Sequence, residues 1–372
     1  MKVLYVANTS SFNTMGGIEY HLLDVARYLS SNHGASVSFA VREGTLIAEK
    51  AKEAGFNVYP LKWTGAGKTI GFYQLIRVFR EFMPDIISVN RERDIGRCYL
   101  LSKIYGAYDR EFKPKIVGVY HVFADRKIPF FEKVGKHIFV SEYIKEGLSR
   151  KNPVTNENSI VIPNGVHLPE INHELKLNPK RERKFFKGIH YPIIGMVGEL
   201  RKNQEELVEV AKHLLRKLDK FKIAIVGGGS EQIALKLKEK IAHAGLKEHF
   251  ILTGKVERTL INDIFFDLDI SVSTFRNEGF GIVHLESMAS YTPVVAYKAG
   301  GQVEVLEKGG SILVEGGPRE LAEGIYSLIT NQTLRTSKAI EGRKVVEKFY
   351  DLEKIGEQHF NLYQSLLKGD GV

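Results

Sequence analysis

The sequence predicts an α/β protein built from two tandem doubly wound parallel-sheet domains, and three observations lead to that prediction. Its 372 residues exceed what one ordinary domain needs and suffice for two hydrophobic cores. Short apolar runs alternate with amphipathic helical segments along the chain, which is typical of parallel sheets covered by helices on both faces. The alternation stops once, in a polar, lysine-rich stretch over residues 169–191, and then resumes.

The first domain is predicted over residues 1–168, where apolar runs of strand length are separated by segments of helical period. Strands are predicted over residues 3–8, 35–42, 57–61, 84–90, 115–121, 136–141 and 159–165, and helices over 18–31, 45–55, 72–82 and 142–149. This succession is typical of a Rossmann-like domain.

The second domain is predicted over residues 192–352, after a linker at 169–191. Strands are predicted over residues 192–198, 221–229, 250–254, 268–274, 293–297 and 311–315, and helices over 204–218, 231–244 and 282–290, followed by a helical tail. We expect the tail helix at 353–368 to return to the first domain. Because open parallel sheets bind ligands outside the carboxyl ends of their strands, the site is expected in a cleft where two such edges face each other.

Composition excludes several classes of protein. A single cysteine, Cys98, allows neither an intrachain disulfide framework nor a site of several cysteines around zinc, and it fits a reducing cytosol. The amino-terminal apolar run is too short for the core of an export signal, and no stretch approaches the roughly 18 apolar residues of a spanning helix. We therefore expect a cytoplasmic protein.

The net charge of +9 is unevenly distributed. Residues 1–185 hold 28 Lys and Arg against 19 Asp and Glu, whereas the remainder holds 25 of each class. A basic first domain favours peripheral contact with the anionic inner face of a membrane. Nucleic acid is the less favoured partner, because basic runs interleaved with aromatic residues do not recur; solvated helix faces would equally account for the charge.

The most informative segment is RNEGFGIVHLESMASYTPVVAYKAGGQVE, residues 276–304. Glu278 precedes Gly-Phe-Gly and a predicted helix, whose first turn presents backbone N–H groups suited to an anionic diphosphate. Glu286 follows eight residues later, up to about 12 Å along a helix, which is too far for two carboxylates acting on one bond. The spacing suits two carboxylates that hold different parts of an elongated ligand.

This segment resembles the E-x7-E signature of the retaining glycosyltransferases of family 4. The similarity extends over essentially the whole chain through a series of shorter motifs in the family's order. These are the loop MGGIE at 15–19, PDIISVN at 84–90, VGVYHVF at 117–123, FVSEYIKEGL at 139–148, VIPNGV at 161–166, IAIVGGGS at 223–230 and Gly300-Gly301 with Glu304. The resemblance implies the GT-B fold, two Rossmann-like domains facing a cleft, in agreement with the pattern of strands and helices.

The resemblance also implies roles for individual residues. Glu278 would contact the donor sugar, Glu286 the ribose, and His121 the donor sugar or the acceptor. The backbone amides of Gly279, Phe280, Gly281 and Ile282 would hold the diphosphate, and Gly16 and Gly17 would line the cleft from the first domain. Read without the resemblance, the Gly-Gly pair is equally well explained as a tight turn between a strand and a helix, and a lone histidine is more often a structural residue.

The family's diphosphate clamp, an Arg and a Lys in GRLxxxKG, is altered here to GELRKNQEEL at 198–207. Glu199 stands where the arginine is expected, and the loop is two residues shorter. Lys202 matches the family lysine best, and Arg201 is the candidate replacement for the guanidinium. A diphosphate leaving group needs positive charge, so at least one of the two is expected to matter.

Two other motifs are interpreted as structural. TGAGKT at 64–69 lacks the first glycine of a phosphate loop, since position 62 is Lys62. Asp267-Leu268-Asp269 has the D-x-D form found in metal-dependent transferases of another fold, but it joins a helix end to a strand. We expect no metal and no cofactor.

The predicted function is that of a retaining hexosyltransferase that uses a UDP- or GDP-sugar and a hydroxyl of a glycan, lipid-linked or small acceptor. One alternative is an epimerase or hydrolase of the same fold, which would act on the donor alone. The other is a non-catalytic nucleotide-sugar-binding subunit, which the altered clamp supports. A dehydrogenase is disfavoured because G-x-G-x-x-G does not follow the first strand.

Overall fold

The computed structural model describes residues 1–7, 15–63 and 68–369, with the backbone alone at 68 and 69. Its contacts divide the chain into two compact units, Met1–Gly165 with Leu352–Val372, and Val166–Asp351. The loop that was compared with a phosphate loop, at 64–69, falls largely outside the described residues.

The first unit is a parallel sheet with helices on both faces. Its strands are β1 (Lys2–Ala7), β2 (Ser36–Arg42), β3 (Asn57–Leu61), β4 (Ile86–Val89), β5 (Lys115–Tyr120), β6 (Lys136–Phe139) and β7 (Ser159–Val161). Its helices are α1 (Gly17–His33), α2 (Leu46–Glu53), α3 (Lys68–Phe82), α4 (Glu92–Tyr108), α5 (Glu142–Ser149) and α14 (Leu352–Lys368). The strand order β3-β2-β1-β4-β5-β6-β7 confirms a doubly wound sheet.

The second unit repeats this architecture. Its strands are β8 (Ile193–Val197), β9 (Lys222–Val226), β10 (Phe250–Gly254), β11 (Ile270–Ser273), β12 (Val294–Tyr297) and β13 (Ser311–Val314), in the order β10-β9-β8-β11-β12-β13. Its helices are α6 (His173–Leu177), α7 (Leu207–Leu215), α8 (Glu231–His243), α9 (Ile261–Asp267), α10 (Ile282–Ala289), α11 (Gln302–Leu306), α12 (Pro318–Thr330) and α13 (Gln332–Phe349). The predicted fold class is confirmed in both units.

Each sheet reverses its winding at one point, and these points decide which loops meet. In the first unit β1 pairs with β2 on one side and β4 on the other. In the second unit β8 pairs with β9 and β11. The loops after β8 and β11 therefore leave neighbouring strands in opposite directions, and ligands bind at such switch points.

Helix α4 is absent from the elements predicted from sequence. Its polar residues Asp94 and Ser102 are buried, whereas its apolar residues Leu100 and Ile104 are exposed. Ile95, Cys98, Leu101 and Tyr105 are also buried, so apolar residues occupy both faces of the helix. The single apolar stripe by which a helix is recognised in a sequence is therefore missing.

The segment predicted to be a linker belongs to the second unit and is packed onto it. Lys176 is buried and donates hydrogen bonds to the carbonyls of Phe265 and Phe266, both at 3.0 Å. Arg181 and Arg183 are also buried and bind the two oxygens of Asp269, at 3.1 and 2.8 Å.

Helix α14 packs against α1 within the first unit. Gly356 makes this approach possible, since a Cβ there would lie 2.3 Å from the Tyr28 ring. Glu357 accepts hydrogen bonds from the Tyr28 hydroxyl at 3.0 Å and from His33 Nε2 at 2.8 Å.

Candidate active site

The loops after β8 and β11 place Lys202 and Glu278 in contact. The Lys202 Nζ lies 2.5 Å from Glu278 Oε2, and both side chains are largely buried. Burial acts to raise the pKa of Glu278, but the charge of Lys202 and the hydrogen bonds from Lys202 and the Gly279 amide lower it overall. Glu278 is therefore a carboxylate at neutral pH.

The backbone on both sides of this pair is held by short hydrogen bonds. Thr274 Oγ1 donates to the carbonyl of Asn203 at 2.8 Å, which joins the end of β11 to the loop that carries Lys202. Asn203 itself has a positive φ of 62°, and its amide group donates to Glu206. Glu206 in turn accepts from Arg276, at 3.1 Å. Lys202 and Glu278 are thus carried by two loops that are bonded to each other.

A second glycine-containing loop supports the backbone of Glu278. The Gly301 amide donates to the Glu278 carbonyl at 2.7 Å. Gly300 has φ 69°, and a Cβ there would lie 2.7 Å from the carbonyl oxygens of Arg276 and Glu278. Only glycine allows this close approach, which explains the Gly-Gly pair at this place in the sequence.

Gly279, Phe280, Gly281 and Ile282 form the turn into α10. Gly281 is the residue before the helix and has φ 93°, a backbone conformation that favours glycine. Phe280 is buried edge-on against Tyr350. These residues thus form the amino terminus of α10, where the first backbone N–H groups of a helix have no partner within it.

Glu286 lies one turn further along α10, where its carboxylate forms an ion pair with Arg258. Arg258 lies in a short 3-10 helix, Arg258–Leu260, that precedes α9. The sequence analysis did not single out Arg258, because no motif marks it and the contact joins segments far apart in the chain.

Arg201 occupies a different environment from Lys202. Its guanidinium pairs with Glu199 at 2.7 Å, and both side chains are more than half exposed. The positive charge of Arg201 is therefore paired at the surface with Glu199, the residue that replaces the family arginine.

In the first unit, the structure brings His121 next to Asn90 at the ends of β5 and β4. His121 Nε2 donates to Asn90 Oδ1 at 3.4 Å, and the histidine is buried. Burial lowers the pKa of His121 to about 3, so the imidazole is neutral at pH 7. Its ring lies 6.4 Å from that of His21, which packs at the same distance from His359.

Gly16 and Gly17 lie at the start of α1 and follow Met15, the first described residue after 8–14. The Gly16 amide donates to Glu19 Oε2 at 3.0 Å, and Glu19 also pairs with Arg91 at 3.3 Å. The side chain of Glu19 thus caps the helix.

The D-x-D pair is engaged within the protein. Asp267 accepts hydrogen bonds from the amides of Lys184, Phe185 and Phe186, at 2.6 to 2.9 Å. Both aspartates are buried, which agrees with the structural interpretation drawn from the sequence.

Two family profiles match most of the chain. The profile described as glycosyl transferases group 1 matches residues 179–345, and that of glycosyltransferase family 4 matches residues 15–169.

Among curated proteins, a phosphatidyl-myo-inositol mannosyltransferase of Mycobacterium leprae is 26% identical over 96% of this chain and 95% of its own. A capsular polysaccharide biosynthesis glycosyltransferase of Staphylococcus aureus is also 26% identical, over 62% of each chain.

Solved structures show the same fold. A glycosyltransferase from Rickettsia africae aligns with a TM-score of 0.81 at 20% identity, covering 99% of this chain and 98% of that one. HepE of Anabaena, in complex with UDP and glucose, aligns with a TM-score of 0.76 at 19% identity, covering 98% and 100%.

Proposed function

This chain belongs to the group 1 and family 4 glycosyltransferases and has the GT-B fold, and from that premise we propose that it transfers a hexose, with retention, from a UDP- or GDP-sugar to an acceptor hydroxyl. The acceptor is a glycan, a lipid-linked or a small molecule in the synthesis of a polysaccharide or glycolipid. The printed functions of the Staphylococcus aureus and Mycobacterium leprae relatives support that class of acceptor.

The observation that carries the proposal is the contact between Lys202 and Glu278 at the switch point of the second sheet. Glu278 would accept a hydrogen bond from the hexose, and Lys202 would stabilise the charge that develops on the diphosphate. The amides at 279–282 would hold that diphosphate, Gly16 and Gly17 would line the site from the first unit, and Glu286 would hold the ribose.

In the proposed reaction, the bond between the anomeric carbon and the diphosphate oxygen breaks and a bond to the acceptor oxygen forms on the same face. The proton of the acceptor hydroxyl passes to the departing diphosphate. His121, neutral and close to the carboxyl end of β5, would contact the donor sugar or the acceptor. The reaction as proposed requires no metal and no cofactor, and the protein acts by positioning and by charge stabilisation.

The first test is a thermal-shift screen against UDP, GDP, ADP and their hexose conjugates, with and without EDTA. UDP and UDP-glucose are tested first, because structures of HepE have been solved in complex with each of them. We expect one nucleotide to raise the melting temperature in EDTA, and expect Glu286→Ala to reduce that shift. The absence of any shift would contradict the proposed donor site. Release of free hexose without an acceptor would favour a hydrolase.

We also propose that the protein contacts the anionic cytoplasmic face of a membrane through the α4 surface, which comprises Leu100, Ile104 and Tyr108. These residues are spaced by four, so they lie on one face of the helix, and 45%, 59% and 87% of their respective areas are exposed. Arg93 and Lys103 are exposed on the same helix, and Arg110, which is also exposed, follows it before Glu111. Apolar side chains accompanied by basic ones suit the interface of an anionic bilayer. In the described part of the chain, no helix has the length and apolarity to cross a bilayer.

Flotation with vesicles of phosphatidylglycerol and phosphatidylcholine tests this contact. We expect Ile104→Glu to reduce the bound fraction severalfold, because the substitution places a negative charge on the α4 surface. Leu235→Glu on α8, where the leucine is 50% exposed, is the matched control. Equal binding of the two variants, or failure of the wild type to bind at low salt, would contradict the proposal.

A further inference from the structure

A buried histidine lies beside Glu278 and is not used in the proposed function. His284 is the third residue of α10 and is 1% exposed. Its Nε2 lies 2.9 Å from Oε1 of Gln302, which is itself fully buried. The ring fits because position 281 is glycine, since a Cβ there would lie 2.4 Å from His284 Cδ2.

The hydrogen bonds of Gln302 determine which ring nitrogen carries the proton. The Gln302 amide nitrogen donates to the carbonyls of Phe275, at 3.1 Å, and Tyr297, at 3.0 Å. Because carbonyls only accept, this orientation of the amide is required, and its oxygen faces the histidine. His284 Nε2 is therefore the donor, and Nδ1 keeps a free lone pair in the neutral ring.

The Nδ1 atom is a buried acceptor that has no hydrogen-bond partner among the described residues. Burying an acceptor without a hydrogen bond lowers the stability of the folded state. Acceptors of this kind are rare in native proteins, and each one calls for an explanation. His284 lines a cavity of about 10 Å³ together with Lys202, Glu278 and Val283, which is space for about one water molecule. Burial lowers the pKa of His284, so the acceptor is retained at neutral pH.

We propose that His284 is a donor-binding residue whose Nδ1 accepts a hydrogen bond from a hydroxyl of the transferred hexose, adjacent on the ring to the hydroxyl held by Glu278. The inference rests on the proposed function, because it requires a nucleotide sugar at Glu278. The sugar hydroxyl would occupy the cavity, which has space for about one water molecule.

Two neighbouring hydroxyls are required by the chemistry of the site. One hydroxyl has a single proton to donate, so it cannot satisfy both the Glu278 carboxylate and the His284 nitrogen. Since Glu278 and His284 line one small cavity, we infer that the two donors lie close together, as the hydroxyls on adjacent carbons of a hexose do. Lys202 remains able to donate to the oxygen of either.

Calorimetric titration of the protein with UDP and UDP-glucose, and with GDP and GDP-mannose, tests the role of His284. In His284→Phe we expect the affinity for the preferred nucleotide sugar to fall about tenfold, while the affinity for the corresponding diphosphate stays within about twofold. His284→Asn, which keeps a polar atom near the position of Nδ1, should recover part of the loss. Unchanged sugar-nucleotide affinity in His284→Phe would overturn the inference.

A second measurement requires no variant. Against the mono-deoxy analogues of the preferred nucleotide sugar, the wild type should lose about tenfold in affinity for each of two analogues that lack adjacent hydroxyls. Loss confined to one hydroxyl, or to two that are not adjacent, would overturn the inference. If neither UDP nor GDP binds at all, the proposed function itself has failed, and this outcome is distinct from diphosphate binding without the sugar effects.

Discussion

Lys202 is the charged residue from which we expect the largest effect on the transfer step. Its ammonium group touches Glu278, and removal of one stabilising donor from a transition state typically costs about 10² to 10³ in rate. We expect Lys202→Ala to lower kcat by about that factor in a transfer assay with the preferred donor.

Two variants serve as controls for Lys202→Ala. Lys212→Ala on α7 removes an exposed lysine, paired with Glu209 at 2.9 Å, and should leave kcat unchanged. Arg201→Ala should have a smaller effect than Lys202→Ala, because Arg201 is exposed and paired with Glu199. If Lys202→Ala and Arg201→Ala both transfer at the wild-type rate, the assignment of the diphosphate clamp fails.

Glu286 is expected to distinguish ribose from deoxyribose. The Glu286 carboxylate is held by Arg258, and a ribose hydroxyl would provide a further donor to it. We expect the wild type to bind the ribonucleotide more tightly than its deoxyribose analogues, by about tenfold for the hydroxyl that is contacted, and Glu286→Ala to bind them equally. Competition titrations measure this preference. A preference that survives in Glu286→Ala would show that the ribose is held elsewhere.

At the scale of elements, the segment 178–191 is attached to the second unit by a buried ionic network. Arg181 and Arg183 bind Asp269. Burial acts against the ionisation of Asp269, but the charges of the two arginines outweigh it and hold its pKa at about 2. The network thus attaches the segment 178–191 to the beginning of β11.

Breaking this network is expected to destabilise the second unit. Arg183→Met leaves a buried carboxylate with one partner fewer, and such changes cost about 3 to 5 kcal/mol. Urea unfolding of the full chain measures the loss. Lys184→Ala, which removes an exposed ion pair with Asp263, should cost less than about 1 kcal/mol. Equal effects of the two substitutions would show that the buried network contributes no more than a surface pair.

At the scale of the whole molecule, buried histidines make stability depend on pH. Burial lowers the pKa of His21 to about 4 and the pKa values of His121 and His359 to about 3. Asp24 acts in the opposite direction on His21, and Arg91 lowers the pKa of His121 further.

Stability is therefore expected to fall as the solution is acidified. The unfolded chain, whose histidines titrate near 6.5, binds more protons below that pH than the folded chain does. The contribution of each histidine is complete above about pH 6.5 and is lost at about 1.4 kcal/mol per pH unit, toward about pH 4 for His21 and about pH 3 for His121 and His359. Urea unfolding between pH 7.5 and 5 should show this dependence of the free energy of unfolding on pH. His359→Phe removes one titrating group and should reduce the slope by up to about 1.4 kcal/mol per pH unit. A flat profile would contradict the neutral state of the buried rings.

The sequence by itself determined the architecture of both units, because the apolar strands and amphipathic helices of a doubly wound sheet leave a periodic pattern that is local in the chain. It also marked Lys202, Glu278 and Glu286, since glycines and charged residues at motif spacing are local signals as well. Helix α4 was not predicted because apolar residues lie on its exposed face as well as on its buried one.

Only the tertiary structure decided which of these residues meet. Lys202 and Glu278 are 76 positions apart and touch because β8 and β11 are neighbours in the sheet, although β9 and β10 separate them in sequence. The same holds for Arg258 with Glu286 and for His284 with Gln302. The physical reason is that strand order and loop packing depend on contacts across the whole unit. These contacts also leave the Nδ1 atom of His284 buried with no hydrogen-bond partner among the described residues.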